Sequence, residues 1–311
     1  MFKVRNRIKH IRRKLQIANG KSVGRLEGNS KSFYNLFPSN ERLKCLATGF
    51  NFTEGPVWFK EEKYLLFSDI PANKIFKLNH DSKTEIFRHP SGNSNGLTRD
   101  KEGRLIACEH GNRRVTRTEK DGSITVLADR FYNKKLNSPN DVIVKSDGSI
   151  YFTDPPYGIK PGQQEQPIQG VYRISPDNNI NLVADDIERP NGLAFSPDEK
   201  KLYIDDSKLR HIRIFNVEYD GSLNSGRIFH NMDIDEHGVP DGMKIDLNGN
   251  IFCTGAGGVW VFNSDGEHLG TIRTPENPSN CAWGDSDFKS LYITAVTSIY
   301  KIRVTIPGIN V

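Results

Sequence analysis

The stretch RPNGLAFSPDEKKLYIDDS, residues 189–207, reads as two short apolar strands joined by a turn. Asn191-Gly192 opens the first strand, Ser196-Pro197-Asp198 supplies turn residues, and the second strand runs through Leu202 to Asp206. The phrase recurs along the chain: EGPVWF from Glu54, NGLTRD from Asn95, NDVIVK from Asn140, NGLAFS from Asn191, DGMKID from Asp241 and NCAWGD from Asn280. The intervals are 41, 45, 51, 50 and 39 residues, matching the roughly 40–50 residues of a four-stranded propeller blade. The first copy completes that unit with strands at 55–59, 64–69, 74–78 and 84–88. The sixth has strands at 281–284, 291–295 and 298–304 and then runs out of chain. A spare strand-like segment at 42–47 is expected to complete it, closing the ring and covering an edge. No stretch after residue 30 sustains a helical period. The fold expected is all-β, a six-bladed β-propeller closed by an N-terminal strand.

Length and charge agree with this division. The 311 residues suit one propeller domain at 31–311, preceded by a basic N-terminal helix or arm at 1–30. The formal net charge is +5, yet residues 1–26 hold nine Lys/Arg and no acid, so the rest carries 34 basic and 38 acidic residues. Val4, Ile8, Ile11 and Leu15 fall at helical spacing among those basic residues. This reads as an exposed helix or frayed arm, a membrane-surface helix, or an organellar transit peptide. No apolar run approaches the roughly 18 residues of a membrane span, and no apolar h-region marks a secretory signal, so a cytoplasmic location is expected. Nucleic-acid binding is not expected, because no base-reading module accompanies the charge. Cys45, Cys108, Cys253 and Cys281 have no metal-site spacing and are expected to be free buried thiols.

The first residue of each copy is Glu, Asn, Asn, Asn, Asp, Asn. Around a propeller axis this position becomes a ring of oxygen-bearing side chains with carboxylates at Glu54 and Asp241. Such a ring suits Ca²⁺, which takes about 6–8 oxygens in irregular geometry, with Mg²⁺, Mn²⁺ and Zn²⁺ as alternatives. The second strand returns to the mouth where the first begins. Its residues there are Asp69, Glu109, Asp154, Asp206, Gly255 and Ala295, four of them acids. The 16-residue segment 155–170 follows one of them and is expected to lie over the mouth as a lid.

With these motifs in register, EGPVW at 54–58, SPNDVIVKSDGSIYFTDPPYG at 138–158, RPNGLAFSPDEKKLYIDDS at 189–207, PDGMKID at 240–246 and GGVWVF at 257–262 resemble the gluconolactonase/regucalcin family. The resemblance spans about residues 40–305 and implies a propeller that holds one divalent cation and hydrolyses sugar lactones. It places Glu54, Asn191 and Asp241 at the metal, and Asn140 at the metal or the substrate. Ser138 stands where the animal branch of the family carries a substrate-contacting arginine. Asn95, Glu109 and His110, at the same mouth, are further substrate-binding candidates. The metal would polarise the lactone carbonyl, and a carboxylate would assist water. Asp241 is the base the resemblance suggests; Asp206 and His110, off the metal column, are alternatives.

Two short motifs point elsewhere and lack the right surroundings. Gly92-Asn93-Ser94-Asn95-Gly96 matches a nucleophile elbow, but a strand follows it where a helix is needed. Gly255-Ala256-Gly257-Gly258 lacks the strand–helix context of a dinucleotide site. A non-catalytic Ca²⁺-binding propeller, acting as scaffold or regulator, is the alternative reading of the whole chain.

Overall fold

The computed structural model describes residues 23–309, and the expected N-terminal helix lies almost wholly outside them. Six antiparallel sheets, each ordered from an inner strand outward, surround one axis. Their inner strands are Thr53–Phe59, Ser94–Arg99, Val142–Val144, Pro190–Phe195, Met243–Ile245 and Asn280–Gly284. Each touches the next, and the last touches the first, so the ring is closed. Closure falls on Lys44–Thr48, which pairs antiparallel with Ser298–Arg303 as the fourth strand of the sixth blade. It starts two residues later than the sequence suggests, because the Leu43 carbonyl is taken by the Val23 amide at 3.1 Å.

One segment assigned to the basic arm instead joins the propeller. Arg25–Gly28 pairs with His268–Arg273 and gives the fifth blade a fifth strand. Glu27 bridges Arg273 across this pair. A five-residue helix, Lys31–Asn35, follows and sets a fully buried Phe33 into the core that holds Val261 and Ile272, its ring 5.1 Å from that of Phe37. Five residues are too few to show a helical period, which is why the pattern gives no sign of it.

The small second residue of the repeat has a steric cause. A Cβ at Gly192 would run into the Asp241 carbonyl, and one at Gly55 would run into the Asn95 carbonyl. The Gly192 amide instead donates to that Asp241 oxygen at 2.6 Å. Backbone of one inner strand thus packs directly on the next, and the ring residues are pressed toward the axis. Inner-strand bulges at Glu54/Val57, Ser94/Leu97 and Pro190/Leu193 accompany this turn inward.

Candidate active site and metal centre

All six ring positions reach the channel. Asn95 Nδ2 donates to Asn140 Oδ1, and Asn140 Nδ2 donates to Asn191 Oδ1. Asn191 Nδ2 donates to Ser207 Oγ at 3.0 Å, and Ser207 donates on to the Pro240 carbonyl at 2.8 Å. His110 closes against this chain, its Nε2 3.1 Å from Asn140 Oδ1 and 3.2 Å from Asn95 Nδ2. Burial drives the His110 imidazole down to about 4, against the hydrogen bond to Asn140, so it is neutral near pH 7. On the far side, Asn280 Nδ2 donates to Asp141 Oδ2 at 3.3 Å, and Glu54 accepts the Gly55 amide at 2.8 Å.

Two carboxylates that sequence reasoning did not place complete the centre. Asp141 occupies the second repeat position, where four copies carry glycine, so its side chain enters the crowded channel. Asp205 is fully buried, and neither of its oxygens makes a well-formed hydrogen bond, the nearby Gly192 amide alone favouring its charge. It sits one residue before Asp206, in a column otherwise made of Ser68, Cys108, Thr153, Thr254 and Thr294. Hydroxyls of that column hold the neighbouring blade: Ser68 Oγ donates to the Asn95 carbonyl at 2.8 Å, and Thr153 Oγ1 to the Asn191 carbonyl at 2.8 Å. The departures from small residues at 141 and 205 were the available signals.

Glu54, Asp141, Asp205 and Asp241 lie near enough to act on one another's charge. Burial, then Glu54 and Asp141, lift the Asp241 carboxyl well above the carboxylate range. Burial lifts Glu54 as well, with Asp141 adding to it, while the Gly55 amide and Lys244 oppose. Asp205 is raised by burial, then by Asp241, Asp141 and Asp206. Like charges gathered without water are costly unless a cation joins them. Nearby Lys244 gives its Nζ to the Met243 carbonyl at 2.9 Å. An oxygen-only donor set with excess negative charge fits a hard divalent cation, and Glu54, Asn191 and Asp241 are the residues that would hold it. Among the described residues no group of three His, Cys, Asp or Glu is arranged to ligate a metal; the set here mixes two carboxylates with amides.

The remaining mouth acids serve the framework. Asp206 accepts the amides of Glu188, Lys208 and Leu209, each at 2.9 Å. Asp69 and Asp154 likewise hold backbone amides of the loop entering their blade. Glu109 is enclosed by Arg88, Arg114, Asn112 and Thr116. Burial acts upward on Glu109, but Asn112, Arg114 and Arg88 outweigh it and keep the carboxyl below its ordinary value. With every oxygen engaged, Asp206 and Glu109 have little left for water or substrate. The 155–170 segment does lie at this mouth: Gly158 donates to Ser138 Oγ at 2.8 Å, and Gln166 donates to the Phe131 and Lys134 carbonyls at 2.9 Å. A cavity of about 420 Å³ opens at the opposite face, lined by Val144, Phe195, Ile245 and Trp283, away from the ring.

Ser94 of the elbow-like motif is buried and shares a hydrogen bond with Ser68 at 2.9 Å. Gly255 and Gly258 face each other across a hairpin. The four thiols are free, with Cys45 only partly buried on the closing strand.

Comparison with known proteins agrees with this architecture. The SMP-30/Gluconolactonase/LRE-like region matches residues 52–297. A gluconolactonase of Zymomonas mobilis is 34% identical over 312 residues, covering 92% of this chain and 87% of that protein. The pentonolactonase XacC of Haloferax volcanii is 27% identical, covering 81% and 84%. A solved gluconolactonase of Xanthomonas campestris superposes with a TM-score of 0.84 at 34% identity, covering 92% of this chain and 97% of that one. With its repeats, ring and closure in place, the chain belongs to the SMP-30/gluconolactonase/LRE-like family.

Proposed function

We propose that this protein is a hydrolase of sugar lactones whose centre is completed by one divalent cation, with Ca²⁺ favoured. The observation that carries the reading is the pairing of buried, mutually repelling carboxylates with a neutral amide and imidazole arc at one mouth. The names of the gluconolactonase and pentonolactonase relatives support the substrate class. When bound, the cation supplies polarisation of the lactone carbonyl and charge for the developing oxyanion.

The protein's own groups do the rest. Asn95, Asn140 and neutral His110 present hydrogen-bonding groups that orient the lactone. Asp241 is partly open to the channel and is raised by burial and by Glu54, which counteracts the loss of basicity expected of a ligating carboxylate. It accepts a proton as water attacks the carbonyl carbon, and returns it to the ring oxygen as that C–O bond breaks. Asn191 is held for its role by Asn140 and Ser207.

The test is hydrolysis of glucono-1,5-lactone and a pentono-lactone, with chelator and with Ca²⁺, Mg²⁺, Mn²⁺ or Zn²⁺ restored. Activity that disappears with chelator and returns with a divalent cation is expected. Cation binding with no turnover of any lactone would favour a scaffold or regulatory protein instead.

A further inference from the structure

Arg189 and Tyr157 meet beside the ring, and neither takes part in the proposed reaction. Arg189 lies two residues before Asn191, and its carbonyl accepts the Ser207 amide at 3.0 Å. Ser207 also holds the Asn191 side chain, so the foot of Arg189 is fixed beside the ring. Its guanidinium stands 5.4 Å from the centroid of the Tyr157 ring, while its Nε–H is buried and has no partner. Buried N–H groups are nearly always satisfied, so one left open at a site mouth points to a ligand. Tyr157 belongs to the segment over the mouth and is pinned through its neighbour. Gly158 donates to Ser138 Oγ at 2.8 Å, and a Cβ at Gly158 would strike His110. Tyr157 is 44% exposed, and its phenol lies toward Ser207, near enough to feel the Asp241 charge.

We propose that Arg189 and Tyr157 form a clamp that recognises the hydroxyls of a sugar lactone and selects it over an unsubstituted aliphatic lactone. This rests on the lactonase reading above. The planar guanidinium presents its N–H donors in a fork suited to adjacent oxygens, and stacking on Tyr157 fixes its plane. An aliphatic lactone offers the same ester but nothing for the open Nε–H, and a site that leaves its polar groups unpaired rejects such a substrate.

The experiment compares wild type, Arg189→Met, Arg189→Lys and Tyr157→Phe on glucono-1,5-lactone and δ-valerolactone with the same cation. Arg189→Met is expected to lower kcat/KM on gluconolactone by about tenfold, mainly through KM, as loss of a charged hydrogen bond implies. Its kcat/KM on valerolactone should stay within about twofold of wild type. Arg189→Lys keeps the charge without the fork and should remain impaired. Equal losses on both lactones, no loss on either, or full recovery in the lysine variant would overturn the clamp. If Arg189→Met does not fold, Tyr157→Phe, which removes one hydroxyl, must show the same selective rise in KM. Should wild type open neither lactone, the lactonase reading fails by itself. Calorimetric titration with D-gluconate then decides the clamp: it must bind wild type and bind Arg189→Met about tenfold more weakly.

Discussion

In the proposed reaction two demands meet in the Asp241 carboxylate, cation binding and proton transfer, and substitution separates them. Asp241→Asn keeps the shape and one oxygen but removes the basic site. It is expected to lose about 100-fold or more of kcat even when cation is saturating. Asn191→Ala removes an uncharged ligand and should be partly rescued by excess cation, because its defect is affinity. Recovery of Asp241→Asn under saturation would place the base elsewhere. His110 gives a pH signature. Its imidazole is held at about 4 in the fold against an ordinary value of 6.5. The unfolded chain therefore binds more protons between those values. The contribution of neutral His110 is fully present above pH 6.5 and is lost as pH falls toward 4. In chelator, His110→Gln should remove up to about 3 kcal/mol of the fall in stability across that window, read from urea unfolding. An unchanged profile would mean that His110 is charged or solvated in the fold.

The blade element explains what the sequence disclosed about the site and what it hid. The ring was legible because it repeats at the one position where each inner strand meets the axis. Asp141 and Asp205 were not, because each replaces a residue whose role is to pack between blades rather than to bind. Asp206 shows the converse case: aligned with Asp69 and Asp154 it resembles a mouth acid, and all three hold loop backbone. Sequence alone locates a carboxylate but does not say how many amides already claim it. Asp206→Ala should consequently lower the melting temperature while leaving kcat within about threefold, since three backbone amides lose their acceptor. Asp205 can be tested against its own column. Asp205→Thr restores the hydroxyl found at Thr153 and Thr254 and removes a buried group without a well-formed hydrogen bond. In chelator, differential scanning calorimetry should show it more stable than wild type by about 1–3 kcal/mol. Lower stability with weakened cation affinity would instead identify Asp205 as a ligand.

For the whole molecule, closure decides stability, and two N-terminal strands contribute to different degrees. Lys44–Thr48 joins the last strand of the chain and completes the ring, with Thr48 Oγ1 accepting the Ser298 hydroxyl at 3.0 Å. The first blade then follows at once, the Thr53 amide donating to the Val296 carbonyl at 2.8 Å. The sequence revealed this strand through an arithmetic deficit in the sixth copy. It did not reveal Arg25–Gly28, because the fifth copy already had four strands and nothing was missing. That fifth strand covers the edge of His268–Arg273, far from the ring residues on the inner strands. Deleting residues 1–28 should therefore cost a few degrees of melting temperature, at about 2–4 °C per kcal/mol for a domain of this order, and leave kcat on gluconolactone nearly unchanged. Deleting residues 1–48 exposes the Ser298–Arg303 edge and opens the seam beside Glu54, so loss of cooperative unfolding and of activity together is expected. Circular dichroism melts of the two truncations, read beside lactone hydrolysis, separate the cases. A shorter truncation that abolishes activity would tie Arg25–Gly28 to the site, and a longer one that still melts cooperatively would show that five complete blades hold the ring without its clasp.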